Sequence, residues 1–194
     1  MNVEISNVFL HFSIFCIAES ELQYLKMLQR KYSASNVLRI KQLSGKKGPA
    51  LVSTAKRQVA NGNRKHAEEV YLMFDRDDLT VNEIKTAERQ AKMAGYRIIF
   101  SSIDFEVFIL LHFKAFSKSY TRPELIQTLS GSKCFDQDYK KFKGSEYDKH
   151  LIDSVATAVK NAKALSENNP GDMATTDPYL NVQDHIRLIF GRED

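Results

Sequence analysis

Cysteine is scarce in this chain of 194 residues: there are two, Cys16 in an apolar run and Cys134 in a polar one. Two thiols so placed give neither a disulfide framework nor a metal-ligand spacing, so the expected state is a pair of reduced thiols in a cytoplasmic protein. Long apolar runs are also missing, since no segment approaches the ~20 residues that a membrane span needs. The opening MNVEISNVFLHFSIFCIAESE lacks a basic leading region and is broken by Asn7, His11 and Ser13, so it reads as a strand rather than an export signal. No internal repeat, low-complexity tract or flexible linker interrupts the chain. The pattern GxxxxGK[ST] is absent too, so SGKKGP at 44–49 is no P-loop, and any ATP chemistry would belong to a partner.

What is present is ordinary for a folded domain. Hydrophobic residues make up 43% and charged residues 27%, enough apolar material to build one substantial core. The net charge of +4 is modest, but much of the basic charge is grouped in the first third, from Lys26, Arg30 and Lys31 through Lys46 and Lys47 to Arg64 and Lys65. Such grouping either steers a polyanion or is a solvated helix face.

Apolar strands alternate with amphipathic helices. Strands are expected at Phe9–Ile17, Asn36–Leu43, Val70–Phe74 and Tyr96–Ser101, and helices at Ser20–Tyr32, Ala50–Val59, Val81–Ala94 and Asp104–Phe113. Gly45, Gly48 and Pro49 mark one turn, Asn61-Gly62-Asn63 another, and Gly95 closes a helix. That order predicts an α/β fold, a mostly parallel four-stranded sheet flanked by helices. After Ser117 the strand signals stop. Pro123–Leu129, Lys149–Ala164 and Gln183–Phe190 read as helices, which makes residues 117–194 a helical extension packed on the same core as the α/β unit of residues 1–116.

The run YLMFDRDD, Tyr71 to Asp78, is the most informative stretch. A buried strand ends there in three acids, and ligands of open α/β sheets bind at the carboxyl ends of strands. Asp75 and Asp77 can be aimed at one point, and oxygen-rich clusters suit Mg²⁺ or Mn²⁺. The competing reading is a solvated turn with Asp77 or Asp78 as a helix N-cap. Glu19 and Glu21 follow the first strand and equally complement a helix macrodipole, with Ser20 as a natural N-cap. Glu106 opens the helix after the fourth strand, as a site residue or an ordinary first-turn acid. His112 reads as a packing histidine at that helix's end, where a cation is favoured. Arg76 projects away from its two flanking aspartates and is a candidate clamp on a nearby carboxylate. Lys46 and Lys47 in the glycine turn are placed to reach a phosphate. Tyr139, Lys140 and Lys141 form either part of a groove for a nucleic-acid strand or a solvated loop.

IAESELQYL, GPALVSTAK, YLMFDRDD, SSIDFEVFILLHF and VKNAKAL before a late NP and TDP occur in an order that resembles the RloB and AbiL-type families. These are small Toprim-fold proteins linked to phage defence and encoded beside restriction systems or ATP-binding-cassette-like ATPases. The resemblance implies a Toprim-like domain with a metal-dependent nuclease centre, in which a glutamate after the first strand and a DxD after the third hold Mg²⁺ or Mn²⁺. Asp75 and Asp77 match the DxD, and Glu21 matches the second glutamate of the pattern EGxSE. The first glutamate and the glycine of that pattern are replaced by Ile17 and Ala18, and Glu19 falls at the variable position.

The resemblance therefore implies a phosphodiesterase acting on DNA or RNA, gated by an ATPase partner, with Glu19, Glu21, Asp75, Asp77 and Glu106 catalytic and Glu21, Asp75 and Asp77 on the metal. Lys46, Lys47 and Lys140 would contact nucleic acid. The alternative is a catalytically weakened Toprim module that binds nucleic acid, a nucleotide signal or a partner protein, because Ile17 and Ala18 stand where Glu and Gly are expected. The apolar helix FEVFILLHF is also a candidate surface for self-association.

Overall fold

The computed structural model describes residues 11–62 and 68–191. Phe9 and Leu10 of the expected first strand, Asn63 of the second turn, and Arg64 and Lys65 of the basic grouping lie outside the described residues.

β1 (His11–Cys16) leads into α1 (Glu19–Lys31), β2 (Leu38–Gln42) into α2 (Gly48–Ala60), β3 (Glu68–Asp75) into α3 (Val81–Met93), and β4 (Arg97–Ser102) into α4 (Glu106–Leu111). The sequence legibility of α2 and α3 rests on the turn chemistry that brackets them. Gly45 takes φ of +72° in the turn before α2, Gly48 takes +45° at its first residue, and Gly95 takes +71° just after α3, a region that glycine enters without steric penalty. The extension contributes α5 (Arg122–Ser130), α6 (Tyr139–Phe142), α7 (Asp148–Leu151), a 3₁₀ turn (Ile152–Ser154), α8 (Val155–Asn168), β5 (Tyr179–Leu180) and α9 (Val182–Phe190).

Among the described residues the sheet has five strands in the order β2-β1-β3-β4-β5. The first four are mutually parallel, and β5 pairs antiparallel with β4, Leu180 opposite Ser101 and Tyr179 opposite Ser102. This fifth strand corrects the four-stranded expectation. At two residues it is too short to carry an alternation signal, and its pairing is fixed by Asn181, whose side chain accepts from the Phe100 amide (2.7 Å) and donates to the Ile98 carbonyl (2.9 Å).

Strand alternation divides the core into two layers. Phe15, Val70, Leu72, Phe74 and Phe100 pack under α2 and α3 with Leu51, Val52, Ile84 and Ala87. Ile14, Cys16, Tyr71, Met73 and Ile99 face the other way, against α1, α4, α5, α8 and α9. The extension thus completes the second layer. α4 lies wholly inside it, with Val107 through Leu111 at 0–1% exposure, so the FEVFILLHF helix leaves no surface for self-association. No helix among the described residues is long and apolar enough to cross a membrane.

Candidate functional site

β1, β3 and β4 are neighbours and run parallel, so their carboxyl ends open at one edge of the sheet. The alternation that puts Leu72 and Phe74 under α2 and α3 turns Asp75 to the opposite face, toward Glu21 of α1 and Glu106 of α4. Asp75 is 8% exposed, and its Oδ1 has no hydrogen-bond partner among the described residues. Burial, reinforced by Asp77, Asp104 and Glu106, pushes its carboxyl up to about 7 against the opposing pull of Lys143. Asp104 shares that condition: burial and then Glu106 raise it to about 7, Lys143 and Arg122 oppose, and its Oδ1 is likewise without a partner. Glu21 also lies well above the usual carboxylate range, first through burial and then through Asp75.

The start of α1 shows what Glu21 does. Ala18 is the N-cap and has no side chain to cap with. Glu21 Oε2 instead accepts from the amides of Ile17 (2.8 Å) and Ala18 (3.0 Å), satisfying donors that the first turn leaves open. Ser20 is therefore not the cap; its Oγ donates to Glu106 Oε1 at 3.1 Å. Ile17 is half-buried and packs against the apolar layer beneath α2 and α3. Glu19 is exposed, accepts from Gln23 Nε2 at 2.7 Å, and lies so close to Gly144 that a Cβ there would sit 3.0 Å from its Cβ and Cγ. The fold does not bring Glu19 into the cluster formed by Asp75, Asp104, Glu21 and Glu106.

Three cations meet the acids. Asp77, with φ of 49°, extends its carboxylate to both Lys47 and Arg122. The same two cations approach the exposed Asp78 at 3.8 and 3.6 Å, and Arg122 Nε lies 3.7 Å from Asp104. Lys143 pairs with Glu106 at 2.9 Å, where Glu106 is 1% exposed and also receives Ser20 and, at 3.4 Å, the Tyr139 hydroxyl. Neither Asp77 nor Asp78 caps α3. Thr80 does so in a capping box with Glu83, its Oγ1 accepting from the Glu83 amide at 3.3 Å while Glu83 accepts from the Thr80 amide at 2.9 Å.

Of the lysines expected to contact nucleic acid, Lys47 reaches the cluster, while Lys46 and Lys140 are exposed and are not brought into it. Sequence reasoning missed Arg122, Lys143 and the membership of Asp104. Arg122 lies inside a helix-start signal, Thr121-Arg122-Pro123-Glu124, and Lys143 closes a lysine-rich stretch; both read locally as solvated charge. Tyr139 is not a stacking platform, because it is fully buried with its hydroxyl 3.1 Å from that of Tyr147. His112 packs as expected but carries no charge toward the helix end. Burial lowers it to about 3, and its ring nitrogens meet the Tyr24 hydroxyl and Ser154 Oγ, both at 3.0 Å.

Arg76 is a clamp, on backbone rather than on a carboxylate. It donates to Ser102 Oγ (2.8 Å) and to the carbonyls of Ala174 (2.9 Å), Met173 (3.3 Å) and Thr176 (3.1 Å). Ser102 in turn donates to Asp177 Oδ1 at 2.7 Å, so the centre of the FDRDD motif ties the site to the segment before β5.

A Toprim-type centre would place a divalent ion among these acids. Asp75 Oδ1 and Asp104 Oδ1 are available as donors, but Glu21 is turned onto backbone amides, Asp77 onto Lys47 and Arg122, and Glu106 onto Lys143, Ser20 and Tyr139. Among the described residues no group of three His, Cys, Asp or Glu side chains is arranged to hold a metal. The donor set as folded does not fit the ion.

The profile of a family described as RloB-like protein matches residues 12–189. The chain belongs to the RloB-like family. The match spans both the α/β unit and the extension, so this family's unit includes the α5–α9 segment rather than the sheet alone. The parallel sheet with its flanking helices agrees in general terms with a Toprim-like architecture. No curated protein and no solved structure matches the chain.

Proposed function

We propose that this RloB-like chain is a catalytically weakened Toprim-like module that binds nucleic acid at the mouth of β1, β3 and β4, in a phage-defence setting. The observation that carries the reading is Glu21. The acid that matches the family pattern spends its Oε2 capping α1, and the position that should supply the other glutamate is Ile17, packed into the apolar layer. What remains at the mouth is a set of cations held in place by acids. A phosphate entering there competes with Asp77 for Lys47 and Arg122, two charge-assisted partners of the kind that bind phosphate oxygens. Asp75 and Asp104 hold their protons up to about 7, which lessens the repulsion such an anion would meet.

A second reading, a Mg²⁺-dependent nuclease gated by an ATPase partner, is favoured by the two partnerless oxygens of Asp75 and Asp104. One experiment separates the two. Labelled single-stranded DNA, plasmid and tRNA are incubated with the chain in EDTA and in Mg²⁺ or Mn²⁺, with and without a candidate ATP-binding-cassette-like ATPase partner. The binding reading expects retention in EDTA, loss of at least tenfold in affinity for Lys47→Ala/Arg122→Ala, and no cleavage. Cleavage in Mg²⁺ that disappears in Asp75→Ala overturns it in favour of the nuclease.

A further inference from the structure

The segment from Lys114 to Arg122 is anchored in the core by Tyr120, with Phe116 packed against it, while Lys114 and Lys118 stay exposed. Tyr120 is 9% exposed and stacks edge-on with Phe116 at 5.1 Å, and Ser119 Oγ donates to the Asp177 carbonyl at 2.9 Å. Two exposed lysines converge on that anchored ring: Lys118 Nζ lies 4.4 Å and Lys114 Nζ 5.6 Å from the Tyr120 centroid. Laid end to end, those distances put the two ammoniums at most about 10 Å apart, within one Debye length at ordinary salt, where like charges still repel. Among the described residues neither ammonium has an ion-paired carboxylate. Glu124, the nearest acid to Lys118 in sequence, has its Oε2 committed to the Thr121 amide (2.7 Å) and hydroxyl (2.8 Å).

Ring attraction holds the two charges in place. Hydrogen bonds from Thr121, and then the charge of Lys118, hold the Glu124 carboxyl below its usual range, so Lys118 is partly offset at a distance without closing an ion pair. Four residues beyond Lys118 the same segment delivers Arg122 into the acid cluster, beside Asp77, Asp78 and Asp104. Closely spaced cations that end at a ligand mouth match a ligand whose own charges are closely and regularly spaced.

We infer that Lys114, Lys118 and Arg122 form a track for the sugar-phosphate backbone of a nucleic-acid strand and lead it to the mouth of the sheet. The inference rests on the nucleic-acid reading above and specifies how the strand approaches. Lys114 and Lys118 each hold one phosphate, Arg122 exchanges Asp77 for the next, and recognition along the track is independent of base.

The test measures affinity of the full chain for single-stranded DNA and RNA oligonucleotides of one sequence across a salt series, with polyglutamate as a competitor. Each phosphate contact with a single strand contributes about 0.7 to the slope of log affinity against log salt. Lys114→Gln/Lys118→Gln is therefore expected to lower the slope by about 1.4 and to weaken binding at least tenfold at low salt, for either strand chemistry. Lys114→Arg/Lys118→Arg, which keeps charge and ring contact, is expected to retain the slope and controls for folding. An unchanged slope in the glutamine variant, while Lys47→Ala/Arg122→Ala loses affinity, overturns the track and leaves the mouth as a binding site. Displacement of the strand by polyglutamate at equal charge also overturns the track, because generic anion attraction then suffices. A wild-type chain that binds no strand overturns both this inference and the reading on which it rests.

Discussion

Arg76→Ala tests whether the centre of the FDRDD motif is structural. Arg76 makes four charge-assisted hydrogen bonds, to Ser102 Oγ and to the carbonyls of Met173, Ala174 and Thr176, at 2.8 to 3.3 Å. A hydrogen bond to a charged group is worth about 1.5–3 kcal/mol when one partner is removed, but Arg76 is only half-buried, so water recovers part of the loss at the carbonyls. The expected destabilisation is about 2–4 kcal/mol by urea denaturation, or roughly 5–15 °C in Tm for a chain of this size. The segment Met173–Thr176 should also become the first site of limited proteolysis, because Arg76 holds three of its carbonyls. Arg76→Lys should recover less than half of the loss, since a lysine cannot fork across four acceptors. A loss below about 0.5 kcal/mol, or full recovery by lysine, would refute the clamp.

Asp75→Asn should raise Tm at pH 8 and leave it nearly unchanged at pH 4.5. The folded carboxyl keeps its proton up to about 7, so ionising it costs the native state more than the unfolded one, and stability is lost as pH rises through that range; equal shifts at both pH values would count against the crowded, buried acid. His112 runs the other way: neutral in the fold down to about 3, it stabilises above its unfolded value near 6.5 and loses about 3 kcal/mol between pH 7 and 4. The stability gap between wild type and His112→Gln should shrink by that amount on acidification, measured by urea titration at both pH values. Gly171→Ala should cost at least about 1–3 kcal/mol, because its Cβ would fall 1.8 Å from Thr176 Oγ1 in the segment that Arg76 grips; a calorimetric Tm equal to wild type would contradict that packing. Mg²⁺ at millimolar concentration should leave the wild-type Tm unmoved, since a ligand stabilises only what it binds, and a concentration-dependent rise would show that the acids rearrange to take the ion.

Local chemistry made much of this protein legible in one dimension. The parallel α/β order followed from apolar runs that alternate with amphipathic ones, and Gly45, Gly48 and Gly95 marked the turns because their positive φ values exclude most other residues. YLMFDRDD located the mouth of the sheet, since a strand that ends in acids must present them where its hydrogen-bonded ladder stops. The departure at Ile17-Ala18 was equally plain, and it already set binding against catalysis. The tertiary structure decided which charges belong together. Arg122 and Lys143 reach acids 45 and 37 positions away in the chain, separations over which no periodicity carries a signal. Glu21 looked like a metal ligand until the start of α1 showed its carboxylate on the amides of Ile17 and Ala18, and Tyr139 looked solvent-facing until the extension closed over it. β5 is paired through Asn181 rather than through its own sequence. The sequence determined the elements and the acids they carry, because those depend on neighbours a few residues away; which acids meet cations, amides or nothing at all was decided by packing, where burial and distance set the energy of each charge.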